Sequence, residues 1–486
     1  MSSSHLLPIP SERVLSTLNA DGSRRWLRPR LSHGRFLKAR QIVAWSLIAI
    51  FTALPFVRIG GSPSILLDIA RRQFTFFGRT FLPTDTVILA MLLLGAVVSV
   101  FLLSAVLGRA WCGWACPQTV YLEFVYRPLE RLFEGHPGRG GSIGRKVTGA
   151  RTVAKYFVYL LVSMALAHTF LSYFVGVASL RQWMTRSPFD HPTSFAVMAM
   201  ITALMFFDFA WFREQTCIVA CPYGRLQSVL LDGNSLIVSY DPKRGEPRRH
   251  AHAPIDGVGS EAHQTQAGGD CVDCKLCVET CPTGIDIRGG LRMECLGCAQ
   301  CIDACDAVMA KLKRPAGLIR YSSQLRVAGE PGRMARPRLF IYSGVLLLIA
   351  GVFTALVSQA KSIDVTLLRG MGVPFTELAG GDVANPVRLK ITNRTHEPRT
   401  YRLQVIEGGP ARVLSGELPV TVQPTASVTR GLVIAVPASS FLMGKHKVRL
   451  RILDDHQASV EVNYDMLGPY SVSAPSAPGV MPRASQ

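Results

Sequence analysis

Eight cysteines between residues 271 and 305 form two runs with the same spacing. In each run, three cysteines are separated by two residues, and a fourth follows after three more. This is the spacing of bacterial two-cluster ferredoxins, in which the fourth cysteine of each run ligates the other cluster. We therefore expect two [4Fe–4S] clusters. The expected ligands are Cys271, Cys274, Cys277 and Cys305 for the first cluster, and Cys281, Cys295, Cys298 and Cys301 for the second.

A zinc site is the alternative interpretation, because Cys-x2-Cys pairs also bind zinc. Zinc sites normally take two pairs of cysteines, whereas here a triplet and its fourth member are duplicated, so the pattern favours iron and sulfide. One position departs from the usual ferredoxin sequence, since Asp306 follows Cys305 where Pro282 follows Cys281. This residue shapes the turn and is not a ligand, so the assignment does not depend on it.

The other four cysteines form two shorter motifs. Cys112-Gly-Trp-Ala-Cys116-Pro and Cys217-Ile-Val-Ala-Cys221-Pro lie 105 residues apart, and each follows two apolar segments. This pattern predicts a two-helix hairpin that occurs twice, with the cysteine pairs facing each other across a pseudo-twofold axis. If each pair lies on a helix, its two sulfur atoms share one face.

Three interpretations of these four thiols are open. Thiolates are soft ligands that suit Cu(I), and close thiol pairs can also cycle between dithiol and disulfide. Cysteine is also an ordinary buried residue in apolar surroundings, although two matched copies that each end in Pro argue against that interpretation. We therefore treat Cys112, Cys116, Cys217 and Cys221 as candidate catalytic residues and candidate copper ligands.

Five apolar stretches are long enough to cross a bilayer as helices, which takes about 20 residues. Hydrophobic residues make up 48% of the 486 residues and charged residues only 18%, which is typical of a membrane protein and low for a soluble enzyme. The predicted spans are residues 41–57, 86–108, 156–180, 193–212 and 339–360.

The number of Lys and Arg residues alternates between these spans. Segments 1–40, 109–155 and 213–338 contain 8, 8 and 17 of them, whereas 58–85 and 181–192 contain 4 and 2. By the positive-inside rule, the basic segments lie in the cytoplasm. We therefore expect a multi-pass protein of the bacterial inner membrane, with a retained cytoplasmic N-terminal tail, a cytoplasmic ferredoxin region and a periplasmic C-terminal region. The membrane topology then accounts for the net charge of +20, and no nucleic-acid partner is expected.

The composition changes after residue 361. Short runs such as 387–392, 401–406 and 447–452 alternate polar and apolar residues between clusters of Gly, Pro, Asn and Asp. This alternation predicts an all-β immunoglobulin-like sandwich.

The predicted fold class is thus a membrane α-helical region of about five helices with an inserted two-cluster ferredoxin-like domain and this C-terminal sandwich. The predicted domains are the tail 1–40, a four-helix membrane region 41–225 with the two cysteine hairpins, the ferredoxin-type domain 226–337, a fifth helix 338–360 and the sandwich 361–486.

Two polar residues within the spans have mainly structural interpretations. His168 lies in the third span, but no histidine sits at a matching depth in another span and no Cys-x-x-Cys-His sequence occurs, so haem is not indicated. We expect a histidine whose hydrogen bonds are satisfied inside the protein. Asp208 should face the interior or the aqueous boundary near the end of its helix.

Five sequence blocks outside the ferredoxin runs are distinctive. They are residues 21–26 (Asp-Gly-Ser-Arg-Arg-Trp), 111–120 (Trp-Cys-Gly-Trp-Ala-Cys-Pro-Gln-Thr-Val), 221–225 (Cys-Pro-Tyr-Gly-Arg), 240–248 (Tyr-Asp-Pro-Lys-Arg-Gly-Glu-Pro-Arg) and 317–321 (Gly-Leu-Ile-Arg-Tyr). With these blocks the chain resembles the CcoG/FixG/RdxA-type cytochrome c oxidase accessory proteins. The resemblance extends over nearly the whole chain, and the Trp-Cys-Gly-Trp and Arg-Gly-Glu-Pro-Arg blocks are its most specific parts.

The resemblance implies a role in assembling cbb-type haem–copper oxidases, through reduction of Cu(II) to Cu(I), with copper as substrate or transient ligand. The implied partners are the membrane, copper, the oxidase and its copper-delivery factors, and a cytoplasmic electron donor; a second copy of the chain is a further candidate. Two other functions stay open at this point. One is a quinol dehydrogenase subunit, which normally lacks a large C-terminal sandwich, and the other is a non-catalytic assembly scaffold.

Overall fold

A computed structural model describes most of the chain. The N-terminal 15 residues and the C-terminal 16 lie outside the described part, as do several internal segments. The described residues are 16–19, 21, 23–59, 61–69, 73–81, 85–137, 149–224, 230–248, 268–331, 336–359, 363–395, 397–416, 419–424 and 426–470.

The chain folds into two compact units. One comprises Met1–Val57, Leu66–Arg72 and Asp85–Thr354, and the other Arg58–Ile65, Gln73–Thr84 and Ala355–Gln486, as far as these ranges are described. All twelve cysteines belong to the first unit. The β-sandwich belongs to the second.

In the described part of the chain, five helices are long and apolar enough to cross a membrane, as predicted. Their apolar side chains remain largely uncovered by protein; Leu93 and Leu347, for example, are 69% and 73% exposed. Such exposure suits contact with lipid tails. The five segments are Arg35–Phe56, Thr86–Leu107, Gly149–Val175, Pro192–Phe212 and Pro337–Gln359.

Two of these helices differ from the predicted bounds. The first begins at Arg35, within the predicted tail, because the Asp303 carboxylate accepts the backbone N–H groups of Phe36 and Leu37 and so satisfies the start of the helix. The third begins at Gly149, seven residues before its predicted start, and ends at Val175. Gly176 there adopts a positive φ of 78°, which stops the helix before the predicted end at residue 180.

The rest of the first unit consists of short elements around the cysteine motifs. After the second spanning helix come helices Ala110–Trp114, Pro117–Tyr121 and Arg127–Glu134, and the third span is followed by Val177–Met184. Three segments are π-helical, namely Leu122–Tyr126, Asp208–Phe212 and Thr216–Ala220. The ferredoxin region contains helices Pro242–Gly245, Leu276–Glu279, Gln300–Lys311 and Gln324–Ala328, the 3-10 turn Ile287–Gly289, and the antiparallel strands Ile237–Tyr240 and Ile319–Ser322.

The two ferredoxin halves repeat the same local backbone. Lys275 and Ala299 occupy equivalent positions, both adopt the left-handed conformation, and each precedes a helix that carries the third cysteine of its run. The buried core of this region includes Ile285, Ile302 and Ile319, and the cysteines pack against it. Both cysteine loops are therefore held on one apolar core.

The second unit confirms the predicted sandwich. One antiparallel sheet has Arg412–Gly416, Ser427–Pro437, Asp382–Asn393 and Ile363–Arg369 side by side, with Thr376–Glu377 also paired to Asp382–Asn393. The other has the order Val420–Val422, Arg399–Glu407, Lys445–Leu453, Ser459–Leu467. Alternate side chains such as Leu389, Ile434 and Leu450 are fully buried between the sheets, as the period of two requires. The short strands Arg58–Ile59, Ser62–Pro63, Ile65–Asp68, Gln73–Phe76 and Arg79–Phe81 precede the second spanning helix.

Candidate iron–sulfur and thiol sites

The cysteine side chains of the ferredoxin region line two neighbouring cavities. One cavity is lined by Cys271, Cys274, Cys277 and Cys305 together with Tyr240, Arg288 and Met309. These four cysteines are the set predicted for the first cluster. The last of them comes from the second run, which is the crossover that two-cluster ferredoxins use.

The other cavity is lined by the cysteines predicted for the second cluster. Cys281, Cys295, Cys298 and Cys301 surround it, with Ile285, Ile287 and Ala299 as apolar walls, and Cys277 borders this cavity as well as the first. Among the described residues, no group of three or more His, Cys, Asp or Glu side chains is arranged so that it could hold a single metal ion. Four thiols around each apolar cavity fit a cysteine-ligated [4Fe–4S] cluster, which would supply one-electron storage and transfer at that place.

The shorter cysteine motifs do not lie on single helices, so the expectation that each pair shares one helix face is wrong. Cys112 lies in the helix Ala110–Trp114, whereas Cys116 is extended, with φ −63° and ψ 126°, and precedes the next helix. In the same way, Cys217 lies in the π-helix Thr216–Ala220 and Cys221 is extended beyond it. The proline that follows each second cysteine disfavours helical geometry at that cysteine, which explains both breaks.

The fold nevertheless brings the two thiol pairs close enough to interact electrostatically. Burial is the main cause that raises the pKa of Cys112 to about 12, and the neighbouring Cys116 and Cys221 contribute to that rise. Burial likewise raises the pKa of Cys217 to about 12, with contributions from Cys116, Cys112 and Cys221. The two pairs therefore affect each other's pKa values, and their arrangement across a pseudo-twofold axis stays a prediction. A soft metal bound there would have to displace thiol protons.

The first cysteine pair packs directly against the second-cluster loop. A Cβ atom on Gly113 would lie 2.7 Å from Cys298 Cα and 2.7 Å from the Leu296 carbonyl oxygen. A Cβ atom on Gly297 would lie 3.0 Å from the Arg109 carbonyl oxygen. These two glycines therefore allow a backbone-to-backbone contact that a side chain would separate.

Polar side chains hold this contact in place. Arg109 donates to the carbonyl oxygens of Cys295 at 3.3 Å and Gly224 at 2.9 Å, and thereby joins the second-cluster loop to the end of the second short motif. Trp114 donates its indole N–H to the Tyr321 hydroxyl at 3.0 Å, and that hydroxyl donates to the Gly297 carbonyl at 2.5 Å. The second cavity is therefore the one next to the four thiols.

A buried group of ion pairs also supports the same region. Arg213 donates to both carboxylate oxygens of Glu130, at 3.0 and 2.9 Å. Burial acts to raise the pKa of Glu130, but Arg213, Arg127 and Lys155 together lower it by more, so the carboxylate stays charged. Arg127 contacts Glu214 at 3.4 Å and donates to the Pro282 carbonyl at 3.2 Å, next to Cys281. Charged side chains thus tie the helices to the ferredoxin loops.

The supporting role of these residues was not predicted from the sequence. Arg109 and Arg127 were counted only among the charges that set the topology, and Gly113 was noted only as a residue between two cysteines. Arg109 directly follows a predicted span and lies three positions before Cys112, and this placement was the signal available in the sequence.

The remaining expectations concern residues in or beside the spans. His168 lies within hydrogen-bond distance of the Met164 carbonyl, at 2.7 Å, which accounts for one ring nitrogen. Asp208 accepts a hydrogen bond from Thr216 at the end of its helix, beside the second short motif. Arg225, the last residue of one family block, lies outside the described residues.

Family models match three parts of the chain. A 4Fe-4S dicluster domain matches residues 212–324, and the IG-like fold at the C-terminus of FixG matches 353–469. A 4Fe-4S binding domain matches residues 88–137, which contain Cys112 and Cys116. The dicluster match contains all eight ferredoxin cysteines and supports iron–sulfur clusters there.

Three relatives match most of the chain. The nitrogen fixation protein FixG of Rhizobium meliloti is 32% identical over 80% of this chain and 81% of its own length. Protein RdxA of Cereibacter sphaeroides is 33% identical over 78% and 81%, and protein RdxB of the same organism is 31% identical over 90% and 95%. With five membrane-length helices, two cysteine-lined cavities and the FixG-type sandwich, the chain is a bacterial membrane iron–sulfur electron-transfer protein that belongs to the FixG family.

Proposed function

We propose that this protein reduces Cu(II) to Cu(I) at Cys112, Cys116, Cys217 and Cys221, for the assembly of a cbb-type cytochrome c oxidase. The main support is that the four soft thiols influence one another electrostatically and that the first pair packs against the loop of Cys298. Thiolates bind Cu(I) in preference to harder ions. A site that binds the product better than the substrate makes the electron transfer more favourable.

Each residue group has a part in this reaction. The four thiols bind copper, and each Cu(II) ion that becomes Cu(I) accepts one electron. Arg109, Gly113 and the Trp114–Tyr321 pair hold these thiols against the second-cluster loop, where a short separation favours electron transfer. A cytoplasmic reductant would supply the electrons, and copper-delivery factors of the oxidase would take Cu(I).

The test compares the two candidate electron acceptors side by side. Anaerobic protein that has been reduced electrochemically and desalted is mixed with Cu(II) and a Cu(I)-specific chromophore, or with a short-chain quinone analogue. We expect Cu(II) to reoxidise the protein with about one Cu(I) formed per cluster, which is about two per chain, and the quinone to leave it reduced. Reoxidation by the quinone alone would assign the protein to the quinol dehydrogenase class. Inertness towards both acceptors would favour the scaffold.

We further propose that the ferredoxin region faces the cytoplasm and the sandwich the periplasm. The support is the charge alternation between five spans, with 17 Lys and Arg residues in segment 213–338. A periplasm-dependent reporter fused after residue 486 should therefore be active, and the same reporter fused near residue 260 should be inactive. A cytoplasm-dependent reporter should give the reverse pattern. Activity of the cytoplasm-dependent reporter at both positions would mean that one of the five predicted spans does not cross the membrane.

A further inference from the structure

Arg40 is a buried cation that has no carboxylate partner among the residues that the structure describes. It lies in the first spanning helix and is only 1% exposed. Its Nε donates to the Gly113 carbonyl at 2.8 Å, whereas its buried Nη2 has no hydrogen-bond partner among the described residues. The Phe124 ring lies 5.3 Å from the guanidinium. Asp303 from the ferredoxin region caps the start of the same helix, but it forms no ion pair with Arg40.

Arg109 is a second cation of this kind. It is 8% exposed, and its two terminal nitrogens donate to neutral carbonyl oxygens, those of Cys295 and Gly224. Its Nε is also buried without a partner in the described part of the chain. Burial lowers the pKa of Arg109, and the nearby sulfur atoms of Cys295 and Cys112 and the carboxylate of Glu294 oppose that change. The guanidinium therefore lies between the thiol site and the second-cluster site.

Both arginines act on the second cavity. The positive charge of Arg40 acts on Cys298, and that of Arg109 acts on Cys295. An unpaired charge in a protein interior is costly, and buried cations are normally matched by an anion. A [4Fe–4S] cluster with four thiolate ligands carries a net negative charge in both of its working oxidation states, so it supplies the missing anion.

The first cavity has different surroundings. Arg288, a cation that lines this cavity, is already paired with Asp273 at 2.5 Å and with Asp286 at 2.7 Å. Asp306 adds a carboxylate beside Cys305. Lys275 lines this cavity, but its side chain is exposed, where water screens its charge. The described surroundings of the first site therefore offer no buried, uncompensated positive charge.

We propose that Arg40 and Arg109 are the internal counter-ions of the second cluster and hold its reduction potential above that of the first. Burial by itself disfavours the extra negative charge of the reduced cluster, so a buried site without cations would have the lower potential. Two fixed cations in the same low-dielectric surroundings oppose that effect, and their attraction is weakly screened there. The arrangement favours electron flow from the first site towards the second, which is the site beside Cys112. It holds whether copper or another acceptor is the substrate.

The test is a redox titration of the full chain, followed by electron paramagnetic resonance. Cys274→Ser and Cys298→Ser each remove a ligand from one cluster and thereby assign the two signals. In the wild-type chain we expect the signal lost in Cys298→Ser to titrate at the higher potential. Arg40→Gln and Arg109→Gln should each move that midpoint to lower potential and move the other midpoint less. Arg40→Lys and Arg109→Lys, which keep the charge, should stay near wild type.

Arg336→Gln is the matched control. Arg336 is also buried in the first unit, but it is paired with Asp232 at 2.5 Å and is not among the residues that line either cavity. Its loss should move neither midpoint. If a glutamine variant loses iron, the order of the two midpoints in the wild-type chain and the behaviour of the lysine variants decide the question. A second cluster that titrates below the first would overturn the proposal, as would glutamine variants with full iron content and unchanged midpoints.

Discussion

Replacing Cys116 and Cys221 together by serine should slow Cu(II) reduction by about 100-fold and leave about eight iron atoms per chain. The reason is that the four cysteines of the short motifs and the eight cysteines of the ferredoxin region lie at different sites. Neither Cys116 nor Cys221 lines a cluster cavity; four other cysteines line the first cavity and five line the second, because Cys277 borders both. One soft ligand would be lost from each pair, while the ferredoxin core would keep all eight of its cysteines. The measurements are iron and sulfide analysis and the anaerobic Cu(I) chromophore assay on the same preparation.

Tyr223→Phe is the control for this double variant. Tyr223 follows the second short motif and shares a hydrogen bond of 2.8 Å with Ser104, so its loss disturbs the same loop without removing a thiol. Copper reduction in this control should stay near wild type. Unimpaired copper reduction in the double variant would place the reaction at the clusters themselves. A loss of about four iron atoms would instead show that these cysteines hold a cluster, in line with the 4Fe-4S binding match over residues 88–137.

Cys305→Ser should remove the first cluster, although Cys305 lies in the second cysteine run, and should leave about four iron atoms per chain. Cys305 lines the cavity of Cys271, Cys274 and Cys277, whereas Cys301, one helical turn earlier, lines the other cavity. The two side chains therefore serve different sites from one short helix. The measurement is iron analysis on anaerobically purified protein, together with the spectrum of the remaining cluster.

Double variants make the assignment unambiguous. Cys274→Ser combined with Cys305→Ser should lose no more iron than either change alone, because both residues serve one cluster. Cys298→Ser combined with Cys305→Ser should lose nearly all of it. The reverse result would contradict the crossover. In that case Cys274→Ser with Cys305→Ser would lose nearly all the iron, and Cys298→Ser with Cys305→Ser would lose no more than either single change.

The cysteine spacing and the apolar runs were sufficient for the main architecture. Ligands that wrap one corner of a cluster must lie a few residues apart, so the spacing that binds a cluster is local and visible in the sequence. Uninterrupted apolar helices and the period of two in strands are local as well, which is why the five spans and the sandwich were predicted. The bounds of the first and third helices were not, because they depend on a carboxylate of Asp303 more than 260 residues away and on the backbone conformation of Gly176.

Contacts between distant segments were decided by the tertiary structure alone. The sequence predicted two matched thiol pairs and a ferredoxin core, but not which core loop the thiols would touch. Gly113 against Cys298, Arg109 against Cys295 and Arg40 against Gly113 connect residues separated by 73 to 186 positions. No local pattern encodes such pairs, because the residues next to an arginine in the sequence do not show whether it only sets the topology or also lies beside a cluster site. The sequence by itself determined which residues can hold iron, sulfide and soft metal, and only the packing of the chain placed the second cluster site and its two buried cations beside the thiols.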